Sequence, residues 1–171
     1  MHNSNITHHL LNKISEKISV NALFEEFYQQ SASVIDVKIF TITKFEENST
    51  IASRIYTNIP ESYPTFGTKP VTEDYWSEQV LNNQKSFISN SIEEIADVFP
   101  DYELIETLGC GSCINVPIII NDQVLATLNC LNTKDFYQET QIEKVKSLIH
   151  GATICYLYNE LNNKRGINDG R

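Results

Sequence analysis

The chain is short of glycine, of proline, of positive charge and of long apolar runs. Six glycines and five prolines are spread over 171 residues, and nowhere do the glycines group as a phosphate-cradling loop requires. Lys and Arg number 13 against 22 Asp and Glu, a formal net charge of -9, which excludes a basic face for nucleic acid or an anionic membrane. The one local basic cluster, Lys164-Arg165, lies near the C-terminal end. No apolar run approaches the ~20 residues a membrane-spanning helix needs. The N-terminal MHNSNITHHLLNK has neither the cationic lead nor the apolar core of a secretory signal, so a cytoplasmic location is expected. Four cysteines in a chain of this length are expected as free thiols rather than as a disulfide framework.

What is present is ordinary globular composition, with 41% hydrophobic and 20% charged residues, enough for one well-buried domain. Its most apolar stretch is LGCGSCINVPIIINDQVLATLNCLN, Leu108 to Asn132. Two β-branched runs flank Asn121-Asp122, so the stretch reads as a central hairpin. Ile114, Val116, Ile118 and Ile120 share one face of the first strand; Val124, Ala126, Leu128 and Cys130 share one face of the second. Matching these faces leaves Cys113, Asn115, Thr127 and Asn129 together on the other side. Because opposed residues share a face, that match needs an odd-length loop or a bulge beside the turn. Polar groups on a covered face demand partners, and a cavity holding water or ligand is one way to supply them.

In chain order, Ile6, Leu10, Leu11, Ile14 and Ile18 form a helical stripe, and a second helix follows with Asn21 as a candidate cap. Val34 to Phe45 and Thr50 to Asn58 alternate as strands joined at residues 46–49. Residues 59–73 hold three prolines and a glycine and read as a long loop, often a functional lid. Asp74 to Asn83 is a helix, Ser86 to Ser89 a short strand, and Ser91 caps a helix with Glu94 placed for a capping box. After the hairpin, Gln138 to Asn162 reads as one long helix. The expected division is an N-terminal helix over 1–20 as a candidate dimer contact, a domain over 21–162, and a disordered tail over 163–171.

Arg54 and Tyr56, Tyr63-Pro64, Lys69-Pro70, Trp76, Phe99, Leu108-Gly109-Cys110-Gly111-Ser112, Asn115-Val116-Pro117, Leu128-Asn129 and Tyr137 together resemble the GAF domain, over roughly residues 20 to 155. That resemblance implies an α/β fold of the α+β kind: an antiparallel sheet of five to six strands, with terminal helices on one face and a pocket on the other. It also implies dimerisation through the terminal helices. The family includes free methionine-(R)-sulfoxide reductase. At the positions matching that enzyme's substrate carboxylates this chain has Cys113, Asn129 and Leu131, so the resemblance does not carry that activity over.

The expected function is therefore small-molecule binding by a homodimer that signals through a partner in trans, with Arg54, Tyr56, Trp76, Phe99, Cys113, Asn115, Thr127 and Asn129 as ligand contacts. Arg54 and Tyr56 share a parity on their strand and are expected to face an anionic group together; the alternative is that they cover the sheet edge and pair with a carboxylate. Two other readings stay open. Cys110-Gly111-Ser112-Cys113 is a C-x-x-C whose thiols could support enzyme chemistry, and the chain could be a dimerisation module alone. No metal set, cofactor, nucleic acid or membrane partner is expected.

Overall fold

The computed structural model describes residues 2–168. Helices α1 (His2–Ser15) and α2 (Val20–Ala32) lead into strands β1 (Ile39–Phe45) and β2 (Ile51–Thr57). The 59–73 loop carries a two-residue strand, β3 (Lys69–Pro70), before α3 (Tyr75–Ser77), which widens into a π turn over Glu78–Asn82. Then come β4 (Phe87–Ser89), α4 (Ile92–Ala96), α5 (Tyr102–Thr107), the hairpin β5 (Ser112–Ile120) and β6 (Gln123–Asn132), and the closing helices α6 (Glu139–Lys146) and α7 (Ile149–Asn168). The strands form one antiparallel sheet in the order β3-β2-β1-β6-β5-β4.

The expected central hairpin is inside this sheet, and its faces are set by a bulge. Asn121 and Asp122 make the turn with φ of 51° and 60°, the left-handed pair a two-residue hairpin wants. Such a turn alone would pair even with odd, as in Ile120 with Gln123 and Ile119 with Val124. One residue later the register slips past Leu125, and Ile118 pairs with Ala126, Pro117 with Thr127 and Asn115 with Asn129. The apolar faces thereby come together. Pro117 lies beyond the last β4 contact, Asn115 with Phe87, where the outer edge of β5 needs no donor.

Ile114, Val116, Ile118, Ala126, Leu128 and Cys130 meet Phe40 and Ile42 of β1 and pack under α1, α2, α6 and α7. Leu10, Phe27 and Ala152 are fully buried there, so α1 packs on its own chain. At that crossing Gly151 of α7 leaves room for an aromatic ring, since a Cβ on it would lie 2.5 Å from Phe27 Cε2. The opposite sheet face carries a second apolar cluster, with Ile39, Cys113 and Leu131 on strands and Val80, Ile95 and Ile105 on the excursion between β2 and β5.

Several element boundaries differ from expectation. Ser19, not Asn21, caps α2, its hydroxyl accepting from the Ala22 amide. The single closing helix is two, because the Ser147 hydroxyl bonds back to the Lys144 carbonyl and Leu148 N–H takes Val145 O, tightening one turn. The tail expected to be disordered from 163 is helical through Asn168, and the remainder, 169–171, lies outside the described residues. Among the described residues no helix is long and apolar enough to cross a membrane.

Candidate functional site

Between the sheet and the 59–73 excursion lies a cavity of about 330 Å³. Its floor is the polar face of the sheet: Thr41 and Thr43 of β1, Arg54 of β2, Cys113 and Asn115 of β5, Thr127 and Asn129 of β6. Its walls are Trp76 from α3 and Phe99 before α5, whose rings meet edge to face at 6.1 Å. Trp76 is aimed by the start of its helix. Asp74 caps α3 by accepting from Ser77 N at 2.9 Å while the Ser77 hydroxyl accepts from Asp74 N at 2.9 Å, a reciprocal box that fixes the first turn.

The floor is held by one directed hydrogen-bond chain. Trp76 Nε1 donates to Asn115 Oδ1 at 2.9 Å, Asn115 Nδ2 donates to Asn129 Oδ1 at 2.8 Å, and Asn129 Nδ2 donates to the Thr41 and Thr43 hydroxyl oxygens at 3.2 Å each. An indole N–H can only donate, so its presence at one end fixes the orientation of both amides. The buried asparagines are satisfied without a water.

Arg54 stands beside this chain, its strand partner being Thr43. Its Nη1 donates to Pro64 O at 2.9 Å, and its guanidinium carbon lies 4.3 Å from the centre of the Tyr63 ring, a cation–π contact that ties the loop to β2. The Tyr63 hydroxyl in turn donates to Asp101 Oδ2 at 2.6 Å, and Lys69 Nζ stands 4.0 Å from the same oxygen. Nε of Arg54 is buried with no partner. Among the described residues no carboxylate forms an ion pair with it. Desolvation lowers the Arg54 pKa, with Tyr63 and Asp101 opposing, yet a guanidinium starts so high that it remains charged.

Comparison with known proteins settles the family. The GAF domain family model matches residues 18–155. The chain belongs to the GAF domain family. Solved structures agree at the level of fold. The GAF domain of a two-component sensor histidine kinase from Bacillus halodurans superposes with a TM-score of 0.68 at 11% identity, covering 85% of this chain and 98% of that one. The GAF domain from Acinetobacter phosphoenolpyruvate-protein phosphotransferase gives 0.66 at 14%, covering 94% and 97%. The phycoerythrobilin-bound GAF domain of a cyanobacterial phytochrome gives 0.64 at 12%, covering 92% and 98%. No curated protein matches the sequence.

In this GAF domain Arg54, Trp76, Phe99, Cys113, Asn115, Thr127 and Asn129 all line the one cavity. Tyr56 does not, and the expectation that it shares a face with Arg54 is corrected. A second bulge intervenes, with Thr43 opposite Arg54 but Ile42 opposite Tyr56, so Ile55 is the extra residue and the parity breaks there. Tyr56 therefore faces the helices, stacked on Phe24 at 5.5 Å and donating to Glu25 Oε2 at 2.8 Å. The carboxylate pairing considered for Arg54 is replaced by a backbone carbonyl and an aromatic face. Tyr63 and Asp101 were not singled out as partners; nothing in a 38-residue separation signals their contact. Thr41 and Thr43 could have been found by pairing β1 with β6 on matching faces.

The C-x-x-C stands at the wrong end of a helix for thiol activation. Gly109, with φ of 78°, ends α5 in the left-handed region. Its N–H bonds Glu106 O at 2.9 Å, and Cys110 N–H reaches back to Ile105 O at 3.1 Å, which is a Schellman closure. Cys110 thus follows a helix C-terminus, where the dipole opposes a thiolate. Burial pushes the Cys110 thiol up to about 11, with Lys38 partly opposing, and Cys113 up to about 12. Cys130 and Cys155 are raised by burial on the helix side of the sheet. Neutral buried thiols are poor nucleophiles, and only Cys113 borders the cavity.

Proposed function

We propose that this protein is a small-molecule-binding GAF sensor that acts in the cytoplasm as a homodimer through a partner in trans. The observation that carries the binding reading is the cavity itself. It has a polar floor whose asparagines are satisfied, aromatic walls, and a proline-bearing loop tied down over it by Arg54 and Tyr63. A pocket of this size with a few convergent polar groups is what small-molecule sites have in common. The observation favouring a dimer is an apolar outer stripe: Leu11 of α1 is 50% exposed, and Leu157 and Leu161 of α7 are 48% and 47% exposed on the neighbouring helix. Leu157 and Leu161 are one helical turn apart, so they present one seam.

The binding reading is tested by thermal melting with a library of small metabolites, on the native protein and on Ala52→Trp. Ala52 lines the cavity opposite Phe45, so an indole there occupies the space a ligand needs. Compounds that raise the melting temperature of the first protein and not of the second are pocket ligands. A library that shifts both equally, or neither, contradicts the reading.

A further inference from the structure

The polarity of the pocket floor specifies more than the presence of a ligand. The chain that begins at Trp76 Nε1 runs in one direction through Asn115 and Asn129 and ends on the Thr41 and Thr43 oxygens. Each of those oxygens already accepts, so each hydroxyl is left with a hydrogen to give. Both threonines line the cavity, and Thr43 stands directly across the strand pair from Arg54.

Arg54 spends only part of its fork. Nη1 is committed to Pro64 O, and Tyr63 occupies one face of the guanidinium. The edge formed by Nε and Nη2 is left over, and Nε is buried without an acceptor. A side-on edge of this kind matches the two oxygens of a carboxylate. The pocket's own acids do not compete for it. Asp74 is spent on capping α3, and Asp101 accepts from Tyr63 and faces Lys69.

Resting on the reading of this cavity as a ligand site, we infer that its ligand is a small monocarboxylate with an apolar or aromatic body. The carboxylate lies against the free edge of Arg54 and the Thr43 hydroxyl, and the body packs against the wall that Trp76 and Phe99 form together. One free cationic edge and two hydroxyl donors suit a single negative charge. Asp74 and Asp101 on the same walls balance Arg54 and Lys69, which leaves no surplus cation to hold a phosphate dianion. Trp76 and Phe99 offer faces and edges on which a ring or alkyl chain packs.

Trp76 is the sole tryptophan and borders the cavity, so its fluorescence reports occupancy directly. The probes are benzoate, phenylacetate and 3-phenylpropanoate, each titrated beside its neutral amide. The expected result is a saturable change with at least one acid and binding about 10- to 100-fold weaker for the matching amide, the span of one charge-assisted bidentate contact. Arg54→Gln should abolish the preference for acid over amide. Because that change also frees the 59–73 loop, Thr43→Val serves as a second variant that leaves the loop tie intact; it should weaken the acid about tenfold and the amide less. Amides that bind as well as acids, or an acid affinity unchanged in Arg54→Gln, overturn the carboxylate assignment while leaving the pocket reading in place. A panel in which neither series gives a saturable change also overturns the assignment. Whether the cavity holds anything at all is then read separately, from the mass carried by the native protein.

Discussion

Asn115 and Asn129 stand opposite one another on β5 and β6, and the amide of the first donates to the side-chain oxygen of the second at 2.8 Å. This contact links the Trp76 wall to the threonines of β1. It exists because the bulge at Leu125 brings odd positions of both strands to one face. Asn115→Ala should therefore strand two groups at once, Trp76 Nε1 and Asn129 Oδ1. The expected loss is about 2 to 3 kcal/mol in urea denaturation. A loss under about 0.5 kcal/mol would mean the chain does not hold the floor together.

Much of the fold was legible because hydrophobic period and face matching leave few arrangements. The need for a register correction near the hairpin turn, the even face from Ile114 to Ile118 and from Ala126 to Cys130, and the meeting of Cys113, Asn115, Thr127 and Asn129 all follow from alternation. Val124, expected on that even face, lies on the turn side of the bulge and pairs with Ile119 instead. Tyr56 shows where that reasoning stops. Parity holds only along an unbroken strand, and the bulge at Ile55 has no glycine or proline to mark it. The break at Ser147–Leu148 escaped for a related reason, since Val145, Leu148 and Ala152 are all inward-facing and keep an acceptable helical spacing through the tightened turn. Contacts such as Tyr63 with Asp101 depend on loop geometry that no periodicity encodes.

Gly151 sits where α7 meets Phe27, and a Cβ there would lie 2.5 and 2.9 Å from two ring carbons that are themselves locked in the core. Alanine is the better helix former by about 1 kcal/mol, but overpacking costs more at a site that cannot give. Gly151→Ala should lower stability by about 1 to 2 kcal/mol. A stabilised variant in a urea titration would show that Phe27 can move aside.

The thiols give a pH signature with a definite sign. Cys110 and Cys113 are pushed from an ordinary 9.0 up to about 11 and about 12 in the folded protein, so above pH 9 the unfolded chain loses protons that the folded one keeps. Their contribution is fully present below that value and is lost as pH rises through the folded pKa values. Cys130, Cys155, Tyr56 and Tyr63 are shifted upward as well and act in the same direction. Urea midpoints should fall steadily between about pH 9 and 11. Near pH 7 all four cysteines should resist alkylation in the native protein and react once it is unfolded; rapid native labelling of Cys110 or Cys113 would revive thiol chemistry.

Leu157→Glu combined with Leu161→Glu should convert the proposed dimer to a monomer in light scattering after size exclusion, with helix content retained. Both side chains are about half exposed in the single chain, so the folded monomer tolerates the charge while a self-paired seam does not. An unchanged dimer would place the interface elsewhere.

The most direct measurement is the mass of freshly purified protein under native conditions set beside its denatured mass. The expected result is a dimer carrying a reproducible small extra mass that denaturation releases, with a formula of at least two oxygens and a loss of carbon dioxide on fragmentation. A native mass that equals a whole number of bare chains, even after incubation with a cell extract, would contradict the claim that this cavity is a ligand site.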